Sequence, residues 1–442
     1  MNKGASILAI VLLFFALAVI ANPARSETSD TIIVTGADTK RDLSMESNGV
    51  LSSLLNAVMP RLQVSYANTL RRFALKAPGS PLWSGLNAVH DRVQMSYANT
   101  NREIELRYPA AMLEGVFSDI YWYAPGSAKD YLHRSIGDGT FQSIPQNIGG
   151  TYTPLVGDFN GDALDDVYWY KPGPGADYLH FSNGNGTFQS KTQNIGGTYT
   201  PLVGDFNGDV DDDVFWYVAG SGRDYLHLSN GNGTFQTISQ NIGGTYLALV
   251  GDYNGDGADD IFWYAPGSNP DYVYLSNGNG TFQSKPWNVS GVFTTLVGDF
   301  DGNGADDIFW YAPGSSRDYL HLSNGNGTFQ SMSQNIGGTF TPLVGDYDGN
   351  GKDDIFWYAP GSSRDYLYLS NGNGTFQSIN QIVYGTYTPL VADFNGDGKQ
   401  DIFWYGPGPV SDTLYLSKGN GTFQAIGRSI GGIYTPLVGE FD

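Results

Sequence analysis

Hydrophobic and polar residues recur along the chain with a fixed period of 47 residues from residue 114 onward. A (Tyr/Phe)-Trp-Tyr triplet marks each period, with its indoles at Trp122, Trp169, Trp216, Trp263, Trp310, Trp357 and Trp404. An apolar segment such as Thr-Pro-Leu-Val-Gly, followed by an acidic residue, recurs at the same spacing. Seven such periods fill residues 114–442, so this part of the chain is predicted to be a repeat array.

Each period predicts four short strands. In the first complete copy these are residues 153–156, 167–170, 177–181 and 187–190, and Asn183-Gly184-Asn185-Gly186 is a hairpin signal between the last two. Seven units of four strands predict an all-β, seven-bladed β-propeller. The first copy starts at its second strand and the last copy stops after its first strand. The propeller is therefore predicted to close by pairing its N- and C-terminal strands, with 433–442 joining 116–148 in one blade.

The first 113 residues follow a different pattern. Residues 1–26 combine Lys3, an apolar run from Ile7 to Ile20 and small residues up to Ser26, which predicts a signal peptide. Cleavage before Glu27 or after the earlier Val-x-Ala site, and retention as an uncleaved anchor, stay open. Residues 27–113 contain a 31-residue duplication that predicts two helix-plus-hairpin units, a small α+β region. The predicted localisation is secreted or at the cell surface, without a membrane span after cleavage.

The charge is concentrated in the repeat array. The formal net charge is −21, and residues 114–442 carry 36 acidic and 12 basic side chains, whereas residues 27–113 are nearly neutral. This balance argues against nucleic acid and anionic membranes as partners and favours cations. The chain has no Cys, which excludes disulfides, thiolate metal sites and Cys nucleophiles.

Six copies of an acidic loop follow the first predicted strand of a repeat, with the pattern D-x-[DN]-x-[DN]-x-x-x-D. Side-chain oxygens at positions 1, 3, 5 and 9 and a main-chain carbonyl at position 7 suit a hard cation, and calcium is favoured over magnesium because it accepts more oxygens in a looser shell. The candidate ligands, at positions 1, 3, 5, 7 and 9 of each loop, are Asp158, Asn160, Asp162, Leu164 and Asp166; Asp205, Asn207, Asp209, Asp211 and Asp213; Asp252, Asn254, Asp256, Ala258 and Asp260; Asp299, Asp301, Asn303, Ala305 and Asp307; Asp346, Asp348, Asn350, Lys352 and Asp354; and Asp393, Asn395, Asp397, Lys399 and Asp401.

The six sites are expected to be unequal. Position 6 of such a loop favours Gly, and Gly257, Gly304, Gly351 and Gly398 meet this requirement. The first two loops carry Ala163 and Val210 instead, so they are expected either to turn differently or to bind more weakly, with Asp211 partly compensating. At the chain ends, Glu440, Asp442 and Asp119 occupy positions 1, 3 and 9 of an interrupted seventh loop. No strong seventh calcium site is expected there.

The acidic loop and the later Asn-Gly-Thr-Phe, as in 252–261 and 279–282, resemble the FG-GAP/VCBS repeat of integrin α-subunits and secreted bacterial proteins. The resemblance covers residues 114–442 and implies a seven-bladed propeller with about six calcium ions, each between the first two strands of a blade. The chain lacks the literal Phe-Gly and Gly-Ala-Pro signatures of integrins, so integrin-type ligand recognition does not carry over.

The remaining repeated residues favour structural roles. His133, His180, His227 and His321 share a strand position at which other repeats have Tyr, which favours packing over catalysis. The repeated Trp favours the core over sugar stacking, and Asn-Gly-Thr favours a hairpin turn over a glycosylation site. The sequence therefore predicts a calcium-binding extracellular module for adhesion or binding of a protein or glycan. A calcium-dependent lectin with sites between blades is the alternative. A polysaccharide-active enzyme is disfavoured.

Overall fold

The computed structural model describes residues 93–97, 100–104, 117–126, 129–220, 222–267, 270–315, 317–361 and 364–442. The predicted signal peptide, the predicted helices of 27–113 and the boundary near residue 114 lie outside these residues. Within the N-terminal region, β1 (Val93–Tyr97) and β2 (Thr100–Ile104) form an antiparallel hairpin with Tyr97 opposite Thr100. This hairpin falls within the second copy of the predicted duplication, whose two helix-plus-hairpin units stay a prediction.

The other 28 strands form seven four-stranded antiparallel sheets, the blades of a propeller. Blade 1 contains β30 (Thr435–Gly439), β3 (Asp119–Tyr123), β4 (Asp130–Ser135) and β5 (Phe141–Gln146). Blade 2 contains β6 (Thr153–Gly157), β7 (Asp166–Tyr170), β8 (Asp177–Ser182) and β9 (Phe188–Gln193). Blade 3 contains β10 (Thr200–Gly204), β11 (Asp213–Tyr217), β12 (Asp224–Ser229) and β13 (Phe235–Gln240). Blade 4 contains β14 (Leu247–Gly251), β15 (Asp260–Tyr264), β16 (Tyr272–Ser276) and β17 (Phe282–Pro286).

The last three blades repeat the same order. Blade 5 contains β18 (Thr294–Gly298), β19 (Asp307–Tyr311), β20 (Asp318–Ser323) and β21 (Phe329–Gln334). Blade 6 contains β22 (Thr341–Gly345), β23 (Asp354–Tyr358), β24 (Asp365–Ser370) and β25 (Phe376–Gln381). Blade 7 contains β26 (Thr388–Ala392), β27 (Asp401–Tyr405), β28 (Asp412–Ser417) and β29 (Phe423–Arg428). No helix long and apolar enough to cross a membrane occurs among the described residues.

The predicted closure of the ring is confirmed. β30, from the C-terminus, pairs with β3 in an antiparallel register that sets Val438 opposite Ile120 and Leu437 opposite Tyr121. The first strands of neighbouring blades contact one another around the ring, including β26 with β30 and β30 with β6. Blade 1 is therefore a composite of the two ends of the repeat array.

The second strand of each blade forms the core, because all five of its residues are buried. Trp169 in blade 2 packs against Tyr121 and Tyr123 of blade 1, with ring centroids 5.5 and 4.9 Å apart. The equivalent contact recurs at every junction, and all seven indoles are at most 1% exposed. Burying an aromatic side chain of this size stabilises a fold by several kcal/mol, on the order of 3–5. These seven tryptophans are core residues, and they present no face to a sugar.

Candidate functional site

The acidic loop between the first and second strands of a blade is shaped by the carboxylate at position 1. In blade 2, Asp158 accepts hydrogen bonds from the backbone N–H groups of Asn160, Gly161, Asp162 and Ala163, at 2.7–3.2 Å. Blades 3 to 7 repeat this pattern, with variations at position 3. The backbone of the loop therefore wraps around its first side chain.

The Asp at position 9 is buried at the base of the same loop. Asp213, which is 0% exposed, accepts a hydrogen bond from Ser229 N at 2.7 Å, whereas its Oδ2 has no hydrogen-bond partner. Asp260 has the same unpartnered Oδ2. Burial, together with the carboxylates at positions 1 and 5, raises the pKa of Asp213 to about 9 and that of Asp260 to about 8. Such an oxygen, buried among carboxylates without a donor, requires a proton or a cation.

Three carboxylates converge in two of the loops. In blade 5 the oxygens of Asp299, Asp301 and Asp307 lie within 4.8 Å of one another, and in blade 6 Asp346, Asp348 and Asp354 do the same. Positions 1, 3 and 9 of the predicted ligand set thus come together there. Hard oxygen ligands at this spacing fit calcium. Among the described residues these are the two groups of three carboxylates whose oxygens converge closely enough to hold a metal ion.

The other four loops have Asn at position 3 and Asp at position 5. In blade 2, Asn160 Nδ2 lies 3.1 Å from Asp166 Oδ2, so an amide N–H occupies the place of a ligand oxygen. Asp162 at position 5 accepts a hydrogen bond from Leu164 N and is exposed. The side chain at position 5 thus accepts a backbone hydrogen bond within the loop. It does not join the carboxylates of positions 1 and 9 directly.

Position 7 differs most between loops. The side chain of Lys352 donates to Asn350 Oδ1 at 3.1 Å, and Lys399 forms an ion pair with Asp397 at 3.0 Å. In blades 6 and 7 an ammonium therefore lies on the position-5 oxygen. Blades 4 and 5 carry Ala258 and Ala305 at this position. The sequence analysis assigned only the backbone carbonyl here and missed the competing charge.

Position 8 has a role that the sequence analysis did not assign. Asp212 of blade 3 donates its backbone N–H to Asp158 O of blade 2 at 2.7 Å, and its Oδ2 accepts Asp158 N at 2.9 Å. The same reciprocal pair of hydrogen bonds joins five other pairs of neighbouring blades, and the position-8 residues that form it are Asp165, Asp259, Asp306, Asp353 and Gln400. Each acidic loop is thereby connected to the loop of the neighbouring blade. The signal in the sequence was the recurring acidic pair at positions 8 and 9.

Positive backbone angles at position 6 settle how the first two loops turn. Ala163 has φ 69° and Val210 has φ 85°, close to the 80–89° of Gly257, Gly304, Gly351 and Gly398. All six loops therefore turn in the left-handed region at position 6, which leaves weaker binding by the first two loops as the prediction. The two side-chain-bearing residues are strained, and strain of this kind is concentrated at functional sites.

Replacement Val210→Gly is expected to stabilise the protein by about 1–2 kcal/mol, because it removes the penalty of a β-branched residue at positive φ. Ala163→Gly should act in the same direction by less. The melting temperature measures both. Gly257→Val is the matched control, since an added Cβ at Gly257 meets no atom within 4 Å and reports backbone strain alone. A Val210→Gly protein that melts at or below the original temperature would contradict the strain argument.

The interrupted seventh loop contains a positive side chain of the protein itself. Arg134 forms an ion pair with Asp442 at position 3, and it also lowers the pKa of Asp119 at position 9, which burial raises to about 7. The corresponding strand position in the other blades holds Phe181 or Leu. A guanidinium thus lies beside the carboxylates of the interrupted loop, and the absence of a strong seventh calcium site stays a prediction.

The repeated histidines lie in the blade packing. His180 contacts the rings of Trp169 and Phe188 at centroid distances of 6.1 and 6.3 Å, and burial lowers its pKa to about 4. His133, His227 and His321 have the same pKa shift for the same reason. These imidazoles are neutral at pH 7 and serve as packing groups, as the sequence predicted.

Fold and loops together define a seven-bladed propeller with acidic loops between the first and second strands of its blades. The FG-GAP-like repeat matches residues 158–216, 205–263, 252–310, 299–357, 346–404 and 393–441. The chain belongs to the family of proteins built from FG-GAP-like repeats. No curated protein matches it significantly.

Solved structures share the fold at low sequence identity. An Agrocybe aegerita lectin, described as specifically recognising non-reducing terminal N-acetylglucosamine, is 20% identical with a TM-score of 0.61, covering 74% of this chain and 95% of the lectin. A protein from Lactobacillus plantarum is 12% identical with a TM-score of 0.53, covering 73% and 98%.

Proposed function

We propose that this protein is a calcium-stabilised extracellular binding module whose ligand is a glycan. The observation that carries the glycan proposal is a set of partly exposed aromatic pairs at the blade junctions. Tyr199 and Tyr225, between blades 2 and 3, have ring centroids 6.3 Å apart at 76°. Five more junctions carry the equivalent pair at 6.0–6.4 Å: Tyr152 with Tyr178, Tyr246 with Tyr272, Phe293 with Tyr319, Phe340 with Tyr366, and Tyr434 with Tyr131.

These rings differ from the repeated tryptophans in that solvent reaches them. Tyr170 OH holds the adjoining segment in place, donating to Gly197 O at 2.8 Å and accepting from Tyr199 N at 2.8 Å. A partly exposed aromatic ring beside fixed backbone groups offers a face for the C–H groups of a pyranose and polar groups for its hydroxyls. The shared fold of the Agrocybe aegerita lectin is consistent with this use of a propeller.

The calcium part of the proposal rests on the loop chemistry. Buried position-9 oxygens without donors, and the two triads of carboxylates, accommodate a divalent cation. Asp299, Asp301 and Asp307 would hold the ion in blade 5, where it would neutralise charges that otherwise repel one another. Because blade 5 combines a converged carboxylate triad with Gly at position 6 and Ala at position 7, we expect its site to be the tightest.

The proposal includes no catalysis. The groups whose pKa is strongly shifted are loop carboxylates, buried tyrosines and packed histidines. Secretion, proposed from the leader-like segment 1–26, is tested by sequencing the N-terminus of protein recovered from the culture medium. Adhesion through a protein ligand is the competing form of the binding proposal.

The glycan proposal is tested on an array of glycans with the intact protein in about 2 mM calcium, the range expected for extracellular sites. Binding is expected, and Tyr225→Ala together with Tyr178→Ala should weaken it. The matched control is Tyr384→Ser, which removes an exposed aromatic ring outside these pairs, introduces the residue found at the equivalent position, Ser290, and should leave binding unchanged. An array without signal at high protein concentration would contradict the glycan proposal and favour a protein ligand.

A further inference from the structure

Charge is segregated between the two faces of the propeller. The acidic loops and the turns between third and fourth strands share one face, because Ser182, at the end of β8, donates to Phe441 O beside the neighbouring loop. The loops between second and third strands lie on the other face with the connections between blades, as shown by the 2.7 Å bond from Gly173 N to Gly197 O. We call this second side the basic face.

The basic face carries one exposed cation in five of the seven blades. These residues are Lys129, Lys171, Arg223, Arg317 and Arg364. Each, except Lys171, immediately precedes a buried Asp that ends the loop. Blades 4 and 7 have Pro270 and Ser411 immediately before that Asp, so the charge is not required by the fold of the loop.

Nothing acidic is exposed on the basic face within the described part of the propeller. Its carboxylates are those of Asp130, Asp177, Asp224, Asp271, Asp318, Asp365 and Asp412, all at most 1% exposed. Asp177 shows how they are used, since its two oxygens accept Lys171 N at 2.7 Å and Ile195 N at 2.8 Å. The five cations therefore face solvent without a neighbouring exposed carboxylate, in a protein whose net charge is −21.

We infer that the basic face binds an acidic polysaccharide, one that carries sulfate or carboxylate groups along its chain. The inference rests on the proposed function and specifies its ligand class. Five cations distributed around a ring suit a polymer with repeated anionic groups, and the acidic opposite face repels the same polymer and so fixes its side of approach. The aromatic pairs at the junctions supply sugar-stacking surfaces between the cations.

A bilayer is the less suitable anionic partner, although Val292, Tyr384 and Ile433 are 70–78% exposed on this face. These residues sit singly at three junctions and form no continuous apolar patch. The tyrosine pairs are only partly exposed between blades, so a flat lipid surface contacts little of them. Nucleic acid lacks the unpaired pyranose faces that such rings stack on.

The test compares dextran sulfate, hyaluronate and unsulfated dextran as probes, with the full chain in calcium and a series of salt concentrations. Dextran sulfate and hyaluronate should bind, dextran should not, and affinity should fall with salt. The triple variant Arg223→Ser, Arg317→Ser, Arg364→Ser introduces at each position the residue that blade 7 has there, Ser411. This variant should bind about tenfold more weakly. Its melting temperature shows whether the fold is retained.

A matched control removes three cations from elsewhere on the propeller. Lys191→Ile, Lys285→Ile and Lys418→Asn introduce residues that other repeats carry at these positions, and this variant should bind as the original protein does. Equal loss in both triple variants, or equal binding to duplex DNA or to phosphatidylserine vesicles, would overturn the inference. Binding to neutral glycans with none to either acidic polymer would overturn it and leave the glycan proposal standing, whereas no binding to any glycan would contradict both.

Discussion

Deletion of residues 433–442 is expected to abolish the cooperative unfolding of the propeller. The deletion removes β30, which makes five residue pairs with β3 and contacts β6 and β26. Leu437 and Phe441, 9% and 0% exposed, leave the core of the junction with blade 2. Losing two buried side chains of this size costs about 5–8 kcal/mol, comparable with the entire stability of a typical domain.

The truncation also opens the ring. The edge of β3 loses its partner strand. Arg134 loses its ion pair with Asp442, and Asp165 loses its hydrogen bonds with Glu440. Unpaired strand edges promote association between chains. Calorimetry should show a broad transition or none, and light scattering should show self-association. A synthetic peptide of residues 433–442 added in trans should restore the sharp transition. A truncated protein that melts like the full-length one would disprove closure by β30 as a source of stability.

The sequence was sufficient for the architecture because the repeat is strict. Blade closure followed from two half-repeats, and the structure pairs Ile120 with Val438 as that reasoning requires. Position 8 was missed because its partner lies in another blade, 54 residues away in the case of Asp158 and Asp212. Spacing within one repeat carries no information on such a contact. The side chains of Lys352 and Lys399 were missed for a related reason, because spacing does not show where a flexible side chain folds back.

Net charge was the least informative part of the sequence analysis. It argued against polyanions as partners by averaging over the molecule. The propeller places its acidic loops on one face and buries the carboxylates of the other, so Arg223 and Arg317 lie on a face whose charge is opposite to the total. Only the topology of the blades, which alternates loops between two faces, reveals this separation.

Calcium is expected to raise the melting temperature strongly at about pH 8 and weakly at about pH 5.5. The reason is the pKa of the position-9 carboxylates, which burial raises to about 8 for Asp166, Asp307, Asp354 and Asp401. The unfolded chain has an ordinary Asp pKa of about 3.9. The folded state therefore holds protons more tightly, and without calcium its stability is highest in acid and falls as the pH rises from about 4 to about 8.

Calcium replaces those protons, so the difference between calcium and chelator grows over the same pH interval. A site with a dissociation constant near 10⁻⁴ M contributes about 2.7 kcal/mol at about 10 mM calcium, provided that the unfolded chain does not bind it. Magnesium at the same concentration should give a smaller increase, because it requires a tighter octahedron. Isothermal titration calorimetry should resolve a tightest site, and this site should be lost when the blade 5 triad is altered.

Single substitutions connect this effect with the loops. Asp307→Asn removes one carboxylate of the blade 5 triad and should abolish that loop's share of the calcium-dependent gain at about pH 8. Asp138→Asn is the matched control, since Asp138 is an exposed hairpin residue where other repeats carry Asn185 or its equivalents. It should leave the calcium response intact. Equal melting temperatures in calcium and in chelator at pH 8 would refute the metal assignment, because six loops of buried and neighbouring carboxylates would then be stable at that pH without a cation.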